Sequence, residues 1–291
     1  MRTFALALML VAAGCGKKGG DDKNKQPPAG SGGGGAGTTT VAPQEPEKKG
    51  APPKEVYRGK NRLVNLYVGP DGKTQTVDVW VKRGFKYDPV KLAENVEFGK
   101  ASTWFGIPEN MSPVVIPAGG KPDDKALSPM AYGKADEVVT GILQNSGGQP
   151  SVSTRYDVSA TMPGAPQPPT KGKGTLVLDA GQLSEFEKAL TEKFGGRSFY
   201  VGDGTGACRP PRDPKMESLG LGGTAEKELE LDPGKVKITL HKWPGQRGEE
   251  CKTPAVFELE AEVIADKAQR IYVYTPDGGK TLATLTLTVN E

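Results

Sequence analysis

Histidine and cysteine are scarce in this sequence. Its 291 residues include one histidine, His241, and three cysteines. A single imidazole cannot build a histidine-based metal site, and it is the only imidazole base available to a serine- or cysteine-dependent triad. The Gly-x-Ser-x-Gly pattern of α/β-hydrolase nucleophiles is absent as well. These absences argue against the common hydrolase and metalloenzyme classes, and the sequence predicts no metal, no cofactor and no catalytic residue.

Neither sign of charge dominates the chain, and no long apolar run interrupts it. The 38 basic and 35 acidic residues are interleaved and leave a net charge of +3. Nucleic-acid-binding domains concentrate basic residues in a patch or stripe, so nucleic acid is not a predicted partner. No apolar run reaches the roughly 20 residues that a membrane-spanning helix needs.

The first fifteen residues carry the pattern of a bacterial export signal. Arg2 supplies a positive charge, and residues 4–13 form an apolar run, FALALMLVAA, of signal-peptide length. Residues 12–14, Ala-Ala-Gly, precede Cys15 and resemble the lipobox of bacterial lipoproteins, although leucine is usual where Ala12 stands. The resemblance implies a signal peptide over residues 1–14, lipidation of Cys15 and anchoring to a membrane through acyl chains. The alternative is an ordinary secretory signal with an incidental cysteine.

Residues 15–55 form a predicted tether behind that anchor. From Gly16 to Pro53 the chain is rich in glycine, lysine, proline and threonine, with almost no large apolar residue. Such a segment cannot bury enough surface to offset chain entropy, so we expect it to be disordered. Gly16 stands where aspartate retains some lipoproteins at the inner membrane, so the resemblance favours the outer membrane of the cell envelope.

Beyond the tether, apolar residues alternate as they do in strands. The pattern predicts a mostly-β fold with two tandem immunoglobulin-like sandwiches, one over residues 56–162 and one over residues 175–291. A linker rich in proline and glycine separates them over residues 163–174. Only Gln182–Phe194 has helical periodicity, and Gly195-Gly196 ends it.

Two turns predict hairpins. The turn Gly69–Gly72 lies between the alternating runs Arg62–Val68 and Thr76–Lys82, and the turn Pro276–Gly279 lies between the last two predicted strands. The two halves are weakly alike in their order of strands and turns. An internal duplication and coincidence both remain open at this level of similarity.

Three stretches of the first half resemble a family of unknown function found in exported bacterial proteins. They read RLVNLYVGPDGKTQTVDVWV, VEFGKASTWFGIP and DEVVTGIL. The matching residues are Asp71, Val77-Asp78-Val79, Phe98-Gly99, Trp104 and Thr140-Gly141. The resemblance covers Arg62–Leu143 and implies an immunoglobulin-like β-sandwich without established catalytic residues. The segment Arg83–Leu92 departs from the family's pattern as an insertion.

Two sets of residues are candidates for sites. With Cys15 lipidated, an oxidising envelope favours a disulfide between Cys208 and Cys251 over a reactive thiol, which only His241 could assist. Four aromatic residues form a candidate surface for stacking on sugar or peptide: Trp80, Trp104, Phe105 and Trp243. The alternative for Trp80 is packing under a loop or under the insertion.

The predicted function is therefore non-enzymatic: an exported lipoprotein that presents loops and sheet edges to an envelope or extracellular protein or glycan. One alternative is an envelope hydrolase that acts on glycan or peptide through carboxylates, and another is a structural spacer. The acidic pairs Asp123-Asp124 and Glu249-Glu250 are only neighbours in sequence. A glycosidase instead needs two carboxylates that converge across a cleft.

Overall fold

A computed structural model describes residues 57–289, except residues 83–87, 109–110, 123–124, 160–161, 163, 214 and 222–225. The predicted signal peptide, Cys15 and the tether lie outside the described residues. All described residues belong to the compact unit Lys49–Glu291. The helices among them lack the length and the apolar character to cross a membrane.

The first half of the described chain is made of short strands. They are β1 (Tyr57–Asn65), β2 (Val77–Val81), β3 (Val90–Val96), β4 (Lys100–Ala101), β5 (Phe105–Pro108), β6 (Pro113–Pro117), β7 (Ser128–Pro129), β8 (Val138–Ser146) and β9 (Gln149–Val158).

The second half adds one helical segment to its strands. The strands are β10 (Gly174–Asp179), β11 (Ser198–Gly202), β12 (Leu219–Gly220), β13 (Glu226–Leu231), β14 (Gly234–Lys242), β15 (Ala255–Val263), β16 (Ala268–Tyr274) and β17 (Ala283–Thr288). A 3-10 turn (Gly181–Phe186) leads directly into α1 (Glu187–Phe194). The helix ends at Gly195, whose φ of 75° is the left-handed conformation that glycine adopts readily.

The strands form four sheets among the described residues. Sheet I has the order β3-β2-β6-β7, and sheet II has the order β4-β1-β8-β9 with β5 also on β1. Sheet III has the order β13-β10-β16-β17, and sheet IV has the order β12-β11-β14-β15. Sheets I and II come from the first half of the chain, and sheets III and IV come from the second half.

The two halves repeat one topology. In sheet II, β1 pairs parallel with β8 and antiparallel with β5, and β8 continues antiparallel to β9. In sheet III, β10 likewise pairs parallel with β16 and antiparallel with β13, and β16 continues to β17. Sheets I and IV also match, since each places the second strand of its half between two antiparallel partners. The weak likeness in sequence thus extends to strand order and strand direction.

Three apolar clusters place the sheets in the layer order I-II-III-IV. One cluster joins sheets I and II, a second joins sheets II and III, and a third joins sheets III and IV. Strand β1 shows why the middle layers pack on both faces: Leu63 belongs to the first cluster and its neighbour Val64 to the second, and both are fully buried. Successive side chains of a strand point to opposite faces, so β1 needs apolar residues on both.

The mostly-β fold is confirmed, and so is the hairpin of β16 and β17 around Pro276–Gly279. The hairpin predicted around Gly69–Gly72 is wrong. Its two strands, β1 and β2, lie in sheets II and I and do not pair with each other. The turn itself is closed locally, by the isolated bridge between Val68 and Thr74 and by the backbone hydrogen bond from Gly69 N–H to the carbonyl oxygen of Lys73. Alternation of apolar residues defines the buried face of a strand, but it does not define which strand lies beside it.

The segment between the halves is held on the second half. Arg212 donates hydrogen bonds from its guanidinium to the carbonyl oxygens of Gln167 (3.2 Å) and Pro168 (2.9 Å). Thr170 donates its backbone N–H to Glu230 of β13 at 2.9 Å. The residues from Gln167 to Thr170 are therefore fixed along β13.

Candidate functional site

The interface between sheets II and III has an apolar side and a charged side. Tyr272 and Tyr274 of β16 contact Val64 and Ile142 on the apolar side. The charged side collects three guanidinium groups and three carboxylates: Arg62, Arg155, Arg270, Asp157, Asp179 and Glu226. We call these six residues the ionic cluster. Nothing in the sequence marked them, because they come from five strands that only the fold brings together.

Arg270 lies at the centre of the ionic cluster. Its Nε lies 3.3 Å from Asp157 Oδ1, and its Nη1 lies 3.4 Å from Asp179 Oδ2 and 3.0 Å from Glu226 Oε1. Arg155 contacts the same two acids of the second half, with Nε 2.6 Å from Asp179 Oδ2 and 2.9 Å from Glu226 Oε1. The arginines of one half thus share carboxylates with the arginine of the other.

Burial and charge oppose each other inside the ionic cluster. Burial alone would lower the pKa values of Arg155 and Arg270, but the surrounding negative groups outweigh it and raise both. Burial raises the pKa of Glu226 above its ordinary value, although Arg270 beside it acts in the opposite direction. Every carboxylate of the cluster contacts at least one guanidinium group.

Arg62 connects the ionic cluster to one of the predicted aromatic residues. Its Nη2 lies 3.2 Å from Asp157 Oδ2, and its Nε donates to Thr140 Oγ1 at 2.8 Å. Trp104 lies against the same guanidinium, with Arg62 Cζ 4.3 Å and Lys60 Nζ 4.8 Å from the ring centroid. These are cation–π distances, so Trp104 is engaged by basic side chains of β1.

A pair of aromatic residues lies on the outer face of sheet IV. Trp243 is 42% exposed, and its ring centroid lies 5.6 Å from that of Tyr200 at an interplanar angle of 35°. Tyr200 of β11 is in register with His241 of β14, and Trp243 follows two residues later. Strand alternation therefore places these rings on one face of sheet IV and the buried residues Phe199 and Leu240 on the other face. We call Trp243 and Tyr200 the aromatic platform.

The single histidine braces the strand beneath this platform. His241 Nδ1 lies 2.7 Å from the carbonyl oxygen of Thr253, which can only accept, so Nδ1 carries the proton and donates. Its Nε2 lies 2.7 Å from Thr239 Oγ1. A side chain at Gly202 would collide with this arrangement, since its Cβ would lie 2.7 Å from Thr239 Oγ1 and 2.8 Å from His241 Nε2. The described contacts of the imidazole include no carboxylate, and the Thr239 hydroxyl beside it belongs to a residue that is only 1% exposed.

The predicted disulfide is confirmed and flanks the platform. Cys208 and Cys251 are bonded, with their Cα atoms 5.2 Å apart. Cys208 also forms an isolated bridge with Gly202 at the end of β11. The bond thus ties the loop after β11 to the loop after β14. Burial raises the pKa of the Tyr200 hydroxyl, and the acidic residues Glu250 and Glu217 raise it further.

The other predicted aromatic residues lie elsewhere. Trp80 of β2 is partly buried under Lys91, whose Nζ lies 5.1 Å from its ring centroid, and Lys91 belongs to the segment read as an insertion. Phe105 of β5 is buried in the cluster between sheets I and II. Of the four aromatic residues named from the sequence, only Trp243 is exposed.

The described residues contain neither a metal-binding group nor a cavity suited to an aromatic ligand. No group of three or more histidine, cysteine, aspartate or glutamate side chains could hold a metal ion. An open hollow of about 810 Å³ lies beside β3 and residues 100–103. Its lining has lysine and glutamate but no aromatic residue, and its charges are mixed in sign.

Comparisons with known proteins identify no relative. No protein-family model matches the sequence, and no curated protein matches it. Among solved structures, the Bacillus anthracis TIE protein matches over 74% of this chain and 33% of its own, with 10% identity and a TM-score of 0.20. A leucine-rich repeat protein from Bacteroides thetaiotaomicron matches over 75% of this chain and 26% of its own, with 13% identity and a TM-score of 0.18. The chain spans well under half of each, and such low TM-scores carry no argument about function.

Proposed function

We propose that this chain is an exported, lipid-anchored and non-enzymatic protein of the cell envelope that binds an envelope glycan or peptide through its aromatic platform. The observation that carries the proposal is the exposure of Trp243, 42%, while its ring lies against Tyr200. Exposed tryptophan beside tyrosine is typical of ligand-contact surfaces, because each ring offers a large apolar area together with a polar edge.

The surroundings of the platform support a binding role. The Cys208–Cys251 bond holds the two loops beside it, and His241 is hydrogen-bonded on both ring nitrogens below it. A platform that is already ordered loses little conformational freedom when a ligand arrives, which favours affinity. The exposed ring is thus supported by residues that the fold fixes in place.

The state of the reactive side chains supports a non-enzymatic role. The acids of the ionic cluster are ion-paired, His241 contacts only a hydroxyl and a carbonyl, and Cys208 and Cys251 are oxidised. Acyl transfer needs a nucleophile and a base in hydrogen-bond contact, and glycoside hydrolysis needs two acids facing a substrate. The Thr239 hydroxyl that contacts His241 belongs to a residue only 1% exposed, so a substrate cannot reach it, and the acids of the ionic cluster are paired with arginines.

Co-sedimentation with purified peptidoglycan and with whole envelopes tests the proposal. The full chain should sediment with the ligand fraction, and Trp243→Ala should weaken this binding by about tenfold or more, as loss of a central aromatic contact does. Tyr132→Ala is the matched control, because Tyr132 is also exposed, at 38%. Equal binding by Trp243→Ala and the parent chain would contradict the proposal.

A further inference from the structure

One sheet edge differs from all others of comparable length. Among the described strands of more than four residues, β3, β9, β13, β15 and β17 lie at the edge of a sheet. Four of these strands carry charged residues. Strand β3 has Lys91 and Glu94, β9 has Arg155 and Asp157, β13 has Glu226, Lys227, Glu228 and Glu230, and β15 has Glu258, Glu260 and Glu262. Charged residues on an edge strand discourage pairing with another chain. Strand β17 reads ATLTLT and has neither a charge nor a proline.

The outer edge of β17 has no partner among the described residues. The strand pairs only with β16. Ala283, Leu285 and Leu287 lie on the face toward sheet II and are only partly buried there. Thr286, in the middle of the strand, is exposed. An uncharged strand of alternating leucine and threonine, both open to water at one edge, is suited to accept a further strand.

We infer that this edge pairs with the same edge of a second copy of the chain, antiparallel and about a twofold axis through Thr286. A twofold axis normal to the sheet keeps each residue on its own face of the sheet. Two residues that lie opposite each other must therefore both have even numbers or both have odd numbers. Centred on Thr286, the pairing places Thr284 opposite Thr288 and Leu285 opposite Leu287. Each leucine then covers a leucine of the other copy, and each threonine faces a threonine.

Self-pairing is specific to this edge. The same twofold pairing of β15 would bring the rows of Glu258, Glu260 and Glu262 from two copies together, and like charges directly opposite each other are destabilising. Pairing of β17 meets no such repulsion, and the sequence of the strand is complementary to itself. The edge belongs to sheet III and the aromatic platform to sheet IV, so failure at one leaves the other proposal unaffected.

Sedimentation equilibrium of the full chain in detergent tests the inference, with the unit Lys49–Glu291 measured beside it. Because this unit lacks Cys15, its dimerisation cannot come from clustering of acyl chains and reports on strand pairing alone. Both forms should dimerise with rising concentration. Thr286→Lys should raise the dissociation constant by about tenfold or more, since it places two lysines opposite each other. Thr76→Lys, the same change at another exposed threonine, should leave it unchanged.

A mixed experiment tests the register. Thr286→Glu alone should weaken dimerisation as Thr286→Lys does, whereas an equimolar mixture of Thr286→Lys and Thr286→Glu should dimerise as the parent does. Circular dichroism must first show that each variant keeps the parent's β-sheet spectrum. A parent unit that stays monomeric up to about 1 mM would overturn the inference. So would equal dissociation constants for Thr286→Lys and Thr76→Lys, or a mixture that does not recover.

Discussion

Arg270 of β16 and Asp157 of β9 form an ion pair across the interface between sheets II and III, with Nε 3.3 Å from Oδ1 and both side chains at 0% exposure. One residue belongs to the second half of the chain and the other to the first. The two halves therefore share a buried charged contact in addition to the apolar cluster around Tyr272. Because a buried charge is costly once its partner is removed, this pair makes the folding of each half depend on the other.

Arg270→Met should lower the free energy of unfolding by about 3–5 kcal/mol, because it leaves the buried carboxylates of Asp157 and Asp179 with fewer partners. Urea unfolding of the unit Lys49–Glu291 measures this loss. Lys237→Met is the control, since the Lys237–Glu258 pair is 47% and 55% exposed. Its removal should cost less than about 1 kcal/mol. Similar losses for both variants would contradict the coupling.

The double variant Cys208→Ser, Cys251→Ser should be less stable than the parent by about 2–4 kcal/mol, because the bond constrains the unfolded chain over a long loop. Thermal unfolding under oxidising conditions gives the difference. In the presence of reductant, the parent should approach the stability of the double variant. Unchanged stability in both comparisons would show that the bond contributes nothing to the fold.

Lys227 gives the fold a specific dependence on pH. Its side chain is 1% exposed, and its Nζ donates to the carbonyl oxygen of Glu217 at 3.1 Å. Burial lowers its pKa from 10.5 to about 8. Between these values the unfolded chain holds the proton more tightly than the folded chain, so Lys227 contributes a rise in stability as pH increases from 8 to 10.5.

Lys227→Met should remove that rise and should stabilise the fold at pH 7, by about 2 kcal/mol. Urea unfolding at a series of pH values, with the parent measured in parallel, isolates the contribution of this lysine. Lys235→Met, at an exposed lysine of β14, is the control and should leave the pH profile as it is. A parent and a Lys227→Met variant with parallel pH profiles would show that the amine is not desolvated.

Cys15→Ala should prevent acylation and release the chain from membranes, because the variant lacks the sulfur to which the lipid would be attached. Cys15 lies outside the described residues, and the prediction rests on the lipobox resemblance. Cell fractionation and intact-mass measurement check it together. Membrane association and mass that do not change, apart from the substitution itself, would exclude the anchor.

The sequence was sufficient to locate most strands, because their faces alternate cleanly. The stripe Val77, Val79 and Val81 is fully buried as the alternation indicates. The pairing of Cys208 with Cys251 followed from the expected oxidising envelope and from the presence of only two cysteines beyond Cys15. Strand β3 was missed, since part of it was read as an insertion. The helix Gln182–Phe194 exists, but its first part is a 3-10 turn.

The contacts between distant strands could not be predicted in the same way. Alternation marks Arg62 and Arg270 only as polar residues within apolar strands, and nothing local shows that both meet Asp157. The same limit applied to the aromatic residues. Exposure of Trp243 and burial of Phe105 depend on which layer covers each strand, which is a property of the stacked sheets and not of the strand itself.

Hydroxyl-radical footprinting of the unmodified chain tests the central claim, binding through the aromatic platform, most directly. Trp243 and Tyr132 are both exposed in the free chain, at 42% and 38%, so radicals should oxidise both. With purified peptidoglycan or whole envelopes added, oxidation of Trp243 should fall several-fold while that of Tyr132 stays constant. Bound chain in which Trp243 is oxidised as fast as in the free chain would contradict the claim.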